Sequence, residues 1–418
     1  DDLLVGPMLG EGAYGQVYLA RHRVLPDRWY AVKRQQLDAM APTSQRARRQ
    51  LRLLEREREV LLLLARESRG KADINLFVQL VSHGQDASCL QLAMTAVLGG
   101  ELFHLLEETG PMTEGDVQFY AGNLVMALEH LHTRGIAYRS VRLPPPHCLR
   151  RPRLHPPLSA SPSGAARCEL KLPTTWMPSR PPRPLCVCVR SDLKSENVLL
   201  SGGFTHAAAG WPVLADFGLA NWVKSDGASL QTFCGTPAFI APEVAAQNGH
   251  GTAADWWSLG VLIFQCLTLC TPFEGPTAHA TIENIIHGRR VQERVACARI
   301  GELSHSAAGI IDALLHPDPA ERLGGPLRGN EVRTNPFFWG FDFTQIEKRQ
   351  MTPPHAVRCR ERAVAATQHP SLRLPPLPDI SEMGRGGGML GLGGGLGGGL
   401  GGGVMTTLEL DAMEGGGR

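Results

Sequence analysis

Asp192, Lys194 and Asn197 stand in the order D-x-K-x-x-N, and Asp216 follows in Ala215-Asp216-Phe217-Gly218. These residue types suit work on one transferred group. Asp192 can orient an attacking hydroxyl and accept its proton, and Lys194 can balance charge on a moving phosphoryl. Asn197 can hold a metal, and the Asp216 carboxylate suits Mg2+ that bridges phosphates. Phosphoryl transfer asks for little covalent help, so positioning and charge neutralisation must come from such a set. The two patterns in this order are rare by chance.

A second group lies near the start of the chain. Gly10, Gly12 and Gly15 form G-x-G-x-x-G within LGEGAYGQV, from Leu9 to Val17. Missing side chains let backbone N–H groups approach phosphate oxygens closely. A glycine-rich hairpin without a ligand is the plainer reading of these residues alone. The flanking strand patterns disfavour a dinucleotide fingerprint, which needs a helix next. In YAVK, Ala31 is small enough to pack against a flat ring, and Lys33 follows at a separation that reaches bound phosphates. Glu57 is the expected ion-pair partner of Lys33, with Glu55 and Glu59 also in reach.

These residues need elements to hold them. Residues 3–33 read as paired strands around the glycines, and residues 44–66 as a charged helix. Short strands are expected at 77–82 and 90–96. A mostly β small lobe, residues 1–98, therefore ends near Leu98-Gly99-Gly100. The period then changes to the helical one: Val117, Tyr120, Leu124, Leu128 and Leu131 recur at three- and four-residue steps. Thr113 with Asp116 is a plausible helix start. Further helices are expected at 256–269, 278–287 and 306–315, so residues 99–340 form a mainly α large lobe.

Two segments do not fit a globule. Residues 140–191 are rich in Pro and Arg, with Glu169 as their only acid. From about Pro354 onward the chain turns polar and Pro-rich, and 381–418 form a glycine tail that reads as disordered on composition.

Composition bounds the function classes. The chain has 418 residues, 43% apolar and 20% charged, with a net charge of +2. That balance gives no electrostatic footprint for nucleic acid. The longest apolar run, Trp256 to Cys270, falls short of the ~20 residues needed to span a bilayer. The ten cysteines are scattered, which suits a reduced, cytoplasmic setting. The chain begins at Asp1 without Met, which reads as a fragment without a signal peptide.

With TFCGTPAFIAPEV and DWWSLGVL added, residues 3–340 resemble the eukaryotic protein kinase signature set. DLKSEN and GTPAFIAPE look like Ser/Thr kinases. HTRGIAYR, QTFCGTP and ERLGGPLRGNEVRTNPFFWGFDF resemble the AGC group, most of all its cyclic-nucleotide-dependent members. The resemblance implies an α+β bilobal kinase fold, with ATP and Mg2+ in the cleft and Ser or Thr of proteins as targets. Leu9, Gly10, Gly12, Gly15, Val17, Ala31 and gatekeeper Met94 would surround ATP, and Lys33 and Glu57 would form the ion pair of the active state. Glu101 would contact the ribose and, with Glu196, an arginine upstream of the target. Thr232 would be a phosphosite for an activating kinase, facing Arg139, and Thr236 would brace Asp192 and Lys194. Glu243 would pair with Arg322, and Asp255 would tie the catalytic loop to a buried helix. Leu61, Leu80, Tyr138 and Phe217 would stack as an internal spine.

The sequence also departs from that pattern. Gln265 and Ala238 replace acids common in the group, which weakens preference for further basic residues. Asn221 replaces a base near the phosphosite, where Lys224 can compensate. After MTPPHAV no FDDY-like or F-x-x-F ending follows, which argues against docking of the tail onto the small lobe. The largest departure separates Arg139 from Asp192. Excising residues 140–191 leaves GIAYRDLKSENVLL, an uninterrupted loop. Closing a flexible insertion of that size costs roughly 3–4 kcal/mol plus a constant, but a 1 Å misplacement can cost about 10²-fold in rate. Three readings follow: translated intron, tolerated insertion, or a catalytically impaired nucleotide-binding or scaffold module.

Overall fold

The strand that leaves the glycine-rich hairpin starts at Gly15, where the facing backbone leaves no room for a side chain. A Cβ on Gly15, whose φ is 144°, would sit 2.0 Å from the Arg34 carbonyl oxygen. The computed structural model describes residues 3–12, 15–36, 45–68, 76–85, 89–138, 193–203, 209–218, 220–222, 237–246, 251–287, 303–328, 331–372 and 406–407. Strands β1 (Leu3–Gly12) and β2 (Gly15–His22) make the hairpin, followed by β3 (Trp29–Gln36). Helix α1 (Gln45–Ser68) comes next, then β4 (Leu80–Gln85) and β5 (Cys89–Thr95). The sheet order is β1-β2-β3-β5-β4, and β4 carries a further two-residue strand at Thr406–Thr407, within the glycine tail.

Helix α1 is charged, yet Leu54, Glu57, Leu61 and Leu64 are all buried. They recur at three- and four-residue steps, so they share the face laid on the sheet. Leu61 and Leu64 join the same core as the large lobe's residues. The small lobe is thus fastened to the large one through this helix.

In the large lobe, α2 (Leu102–Thr109) and α3 (Glu114–His132) follow the hinge. Thr113 caps α3 as its sequence suggests: its Oγ1 accepts the Asp116 N–H at 3.2 Å and donates to Asp116 Oδ2 at 2.8 Å. Two small ladders come next: β6 (Ile136–Ala137) with β9 (Asn221–Trp222), and β7 (Val198–Leu200) with β8 (Pro212–Leu214). After the short α4 (Pro242–Ala245), helix α5 (Ala253–Thr268) is buried along nearly its whole length, as an apolar run on every face requires. Helices α6 (Ala278–Ile286), α7 (His305–Leu314), α8 (Phe343–Glu347) and α9 (Ala356–Thr367) complete the large lobe and its extension. Among the described residues no helix is long and apolar enough to cross a membrane.

The extension corrects one expectation. Despite lacking an aromatic ending, it reaches the small lobe: Leu372 is buried with Leu19, Leu98 and Ala363. Arg21 Nη1 also donates to the Leu372 carbonyl at 3.4 Å. A leucine placed over Gly6 does the work expected of aromatic rings, because Gly6 leaves a hollow that a Cβ would fill at 2.3 Å from Leu372 Cδ2. On the way, Cys359 packs against Gly99 and Arg362 against Gly100, so α9 lies along the hinge.

Candidate active site

Three strands bring the residues expected to face phosphate into one line. In register, Gly10 opposes Val17, Val17 opposes Lys33, and Lys33 opposes Leu92. Lys33 is buried; its Nζ donates to Glu57 Oε1 at 2.5 Å and to Asp216 Oδ1 at 3.0 Å. Glu57, not Glu55 or Glu59, is therefore the partner. Burial works against the Lys33 ammonium, but the Asp216 and Glu57 carboxylates outweigh it and hold its pKa above the ordinary lysine value. Glu57 Oε2 accepts a second bond, from Gln35 Nε2 at 2.9 Å.

The β7–β8 hairpin sets the spacing of the two candidate metal ligands. Its ladder runs Leu200–Pro212, Leu199–Val213 and Val198–Leu214, and the Ala215 N–H donates to the Asn197 carbonyl at 3.0 Å. Asn197 and Asp216 thus emerge side by side at one end of the hairpin. Asp216 has a φ of 56°, in the left-handed region that Asp tolerates better than most residues. A carboxylate and an amide oxygen are hard donors. They fit Mg2+, which takes one or two carboxylates and completes its shell with phosphates and water.

The opposite wall is apolar. Ala31 sits between Leu19 and Met94 in the ladder, and Met94 is buried against Leu80 as well. Leu9 is exposed on β1, and Val17 is half-buried. At the hinge, Gly99 N–H donates to Leu200 O and Leu200 N–H to Gly100 O, each at 2.8 Å. Glu101 then bridges to Leu199. Burial raises the Glu101 carboxyl above its ordinary pKa; the charge of Glu196 adds to this, while His104 and Lys194 oppose it. Lys194 Nζ donates to Glu196 Oε1 at 3.3 Å. Glu101, Lys194 and Glu196 therefore form one charged cluster below the hinge.

The scaffold beneath is rigid. Leu61, Leu80, Tyr138 and Phe217 are all buried, and the Tyr138 and Phe217 rings meet edge-on at 5.3 Å. The Tyr138 hydroxyl donates to the Ala215 carbonyl, next to Asp216. Asp255, on α5, accepts the Tyr138 N–H at 3.0 Å, and His132 Nε2 lies 2.8 Å from the same oxygen. Arg322 pairs with Glu243 through two 2.8 Å bonds. The described cysteines, Cys89, Cys266, Cys270 and Cys359, are thiols rather than disulfide partners. Burial pushes the Cys266 thiol up to about 12 and that of Cys359 up to about 11.

Arg139, Asp192, Lys224, Thr232 and Thr236 lie outside the described residues, as does the Asn221 side chain. Sequence reading missed Gln35, Phe77 and His132. Phe77 meets Phe217 at 5.8 Å and His130 at 5.3 Å. Its signal was faint, a single aromatic after a polar stretch.

A five-stranded antiparallel sheet with one helix, a helical lobe built around α5, and a cleft holding Lys33, Glu57 and Asp216 define the bilobal fold of a kinase. The chain belongs to the protein kinase domain family, which matches residues 4–143 and 186–338. Ribosomal protein S6 kinase 2 alpha of Xenopus laevis is 29% identical over 358 residues, covering 84% of this chain and 38% of the relative. The cGMP-dependent protein kinase isozyme 2 forms cD5/T2 of Drosophila melanogaster is 28% identical over 354 residues, covering 84% of this chain and 30% of the relative. Human ribosomal protein S6 kinase alpha-1 is 29% identical over 352 residues, covering 83% and 37%. These are AGC-group Ser/Thr kinases, the group that the sequence resembles. The chain spans well under half the length of each.

Proposed function

We propose that the chain is an ATP-dependent protein kinase that transfers the γ-phosphoryl to Ser or Thr of proteins, with preference for an upstream arginine. One observation carries the reading: Lys33, Glu57 and Asp216 meet across the two lobes, at 2.5 and 3.0 Å. A lysine shared by these carboxylates is poised to take the α- and β-phosphates of ATP, while Glu57 fixes its position. The Gly10–Gly15 turn covers the phosphates, and Leu9, Val17, Ala31 and Met94 enclose the base. Asn197 and Asp216 would hold Mg2+, which neutralises phosphate charge. Asp192 accepts the proton of the substrate hydroxyl, Lys194 offsets charge on the moving group, and Thr236 braces both. Glu101 and Glu196, already sharing a charged cluster, receive the substrate arginine. An activating kinase acting on Thr232 would create a phosphate for Arg139. The reading fits a cytoplasmic protein.

The domain reading assigns 1–98 to the small lobe and 99–340 to the large lobe, with 140–191 as an insertion. Residues 341–380 are a partial AGC-type extension and 381–418 a tail. The family match breaks at 144–185, which supports an insertion there. A retained intron accounts for its lack of pattern, and sequencing the transcript across codons 139–192 tests it. A mature message that keeps the tract would refute the intron. The second reading, a catalytically impaired scaffold, rests on the same separation of Arg139 from Asp192. The deciding assay is γ-phosphoryl transfer to an Arg-x-x-Ser peptide, with and without residues 140–191. The chain lacking the tract should transfer, and its Asp192→Asn variant should fall by orders of magnitude. Equal rates would defeat the enzyme reading.

A further inference from the structure

Gln35 occupies a place in β3 where an apolar side chain would serve packing better. It is fully buried, opposes Leu90 in the ladder, and lies two residues after Lys33 on the same face. Its Nε2 donates to Glu57 Oε2 at 2.9 Å, while its Oε1 is buried without a hydrogen-bond partner. An amide left half-satisfied in a core costs stability. Its visible return is the bond to Glu57.

We infer that Gln35 is a positioning residue that fixes the Glu57 carboxylate, and through it Lys33, for nucleotide binding. This rests on the nucleotide-site reading above. Lys33 and Gln35 each hold one oxygen of the same carboxylate. A carboxylate bound at one oxygen can swing about that bond; bound at both from one strand, it cannot. The Gln35 backbone also passes close to Gly15, where an added Cβ would sit 3.1 Å from the Gln35 Cα. The Gln35 backbone thus runs beside Gly15, while its amide reaches the α1 face that carries Glu57.

Gln35→Met keeps the length and removes the amide. In the full chain, Mg·ADP affinity measured by calorimetry should fall about tenfold, as expected for a lost hydrogen bond to a charged group. The unfolding midpoint without nucleotide should change little, because removing the orphaned Oε1 offsets the Glu57 Oε2 left without its donor. Unchanged affinity overturns the inference, and so does an affinity loss accompanied by a lower midpoint, which marks plain structural damage. Gln35→Glu supplies a second readout. Two facing carboxylates share one proton at low pH and repel when both ionise. Affinity in that variant should therefore weaken as pH rises relative to the unsubstituted chain; a profile parallel to that of the unsubstituted chain counts against the inference. If the unsubstituted chain does not bind Mg·ADP, the nucleotide-site reading itself fails, and this inference with it.

Discussion

The Arg322–Glu243 pair should be among the costliest contacts in the large lobe to break from one side. The Arg322 side chain is 0% exposed and that of Glu243 8%. Removing one partner of a buried, bidentate pair strands the other charge, at a cost of about 3–5 kcal/mol. For Glu243→Leu the lower figure applies, because Arg322 retains carbonyl acceptors at Ala253 (2.8 Å) and His316 (3.0 Å). For Arg322→Met the upper figure applies, since Glu243 keeps no comparable set and the guanidinium also leaves the Trp257 ring, 5.2 Å away. Denaturant unfolding of the two single variants and the double should give a strongly non-additive cycle. The double, which strands no charge, should be more stable than the sum of the singles predicts by about 2 kcal/mol or more. Singles costing below about 1 kcal/mol, or a double equal to their sum, would refute the claim that this pair is coupled and desolvated.

Two further outcomes follow from contacts between parts of the fold. Arg134 Nε donates to Glu67 at 2.6 Å, and His130 Nε2 lies 3.0 Å from it, joining the end of α1 to the end of α3. Burial alone would raise the Glu67 pKa, but bonds and charge from Arg134 and His130 hold it below the ordinary value. Its contribution is therefore present above about pH 4.3, the unfolded value, and lost as pH falls through the lower folded one. Glu67→Gln should cost roughly 0.5–1 kcal/mol at neutral pH, and the gap from the unsubstituted chain should close once pH has fallen well below the ordinary glutamate range. A gap that persists there would contradict the assignment. Leu372→Ala should release the extension from Leu19 and Gly6, at a local cost of about 2–3 kcal/mol. Limited proteolysis should then cut near residue 372 faster, with the midpoint of the large lobe unchanged; equal cutting rates would show that Leu372 is no anchor.

Much of this architecture is legible in residue types alone. The glycine spacing, D-x-K-x-x-N and D-F-G each impose chemistry, and their order placed the cleft. Glu57 was recoverable too. Leu54, Leu61 and Leu64 mark the buried face of α1, and Glu57 falls on it while Glu55 and Glu59 do not. Charge density on that helix masked the pattern. Gln35 was harder, because a glutamine after a strand lysine looks solvated until α1 covers it. The docking of Leu372 was not legible, since its hollow is made by Gly6, distant in sequence. A motif search for aromatics cannot detect a leucine fitted to a missing Cβ.

The β7–β8 hairpin has a consequence for the interrupted loop. Its rungs lock Asn197 to Ala215 and so to Asp216, and they begin downstream of Asp192. On the other side of the break, Tyr138 is already tied down by Asp255. Leu193, the first described residue after it, is fully buried. The tract at 140–191 thus enters between two clamped points, outside the ladder that spaces the metal-side residues. Holding a nucleotide and acting on it are separable properties in such a layout. On the proposed reading, a fault at the join would fall on Asp192 and its neighbours and leave Lys33, Glu57 and the glycine hairpin in place.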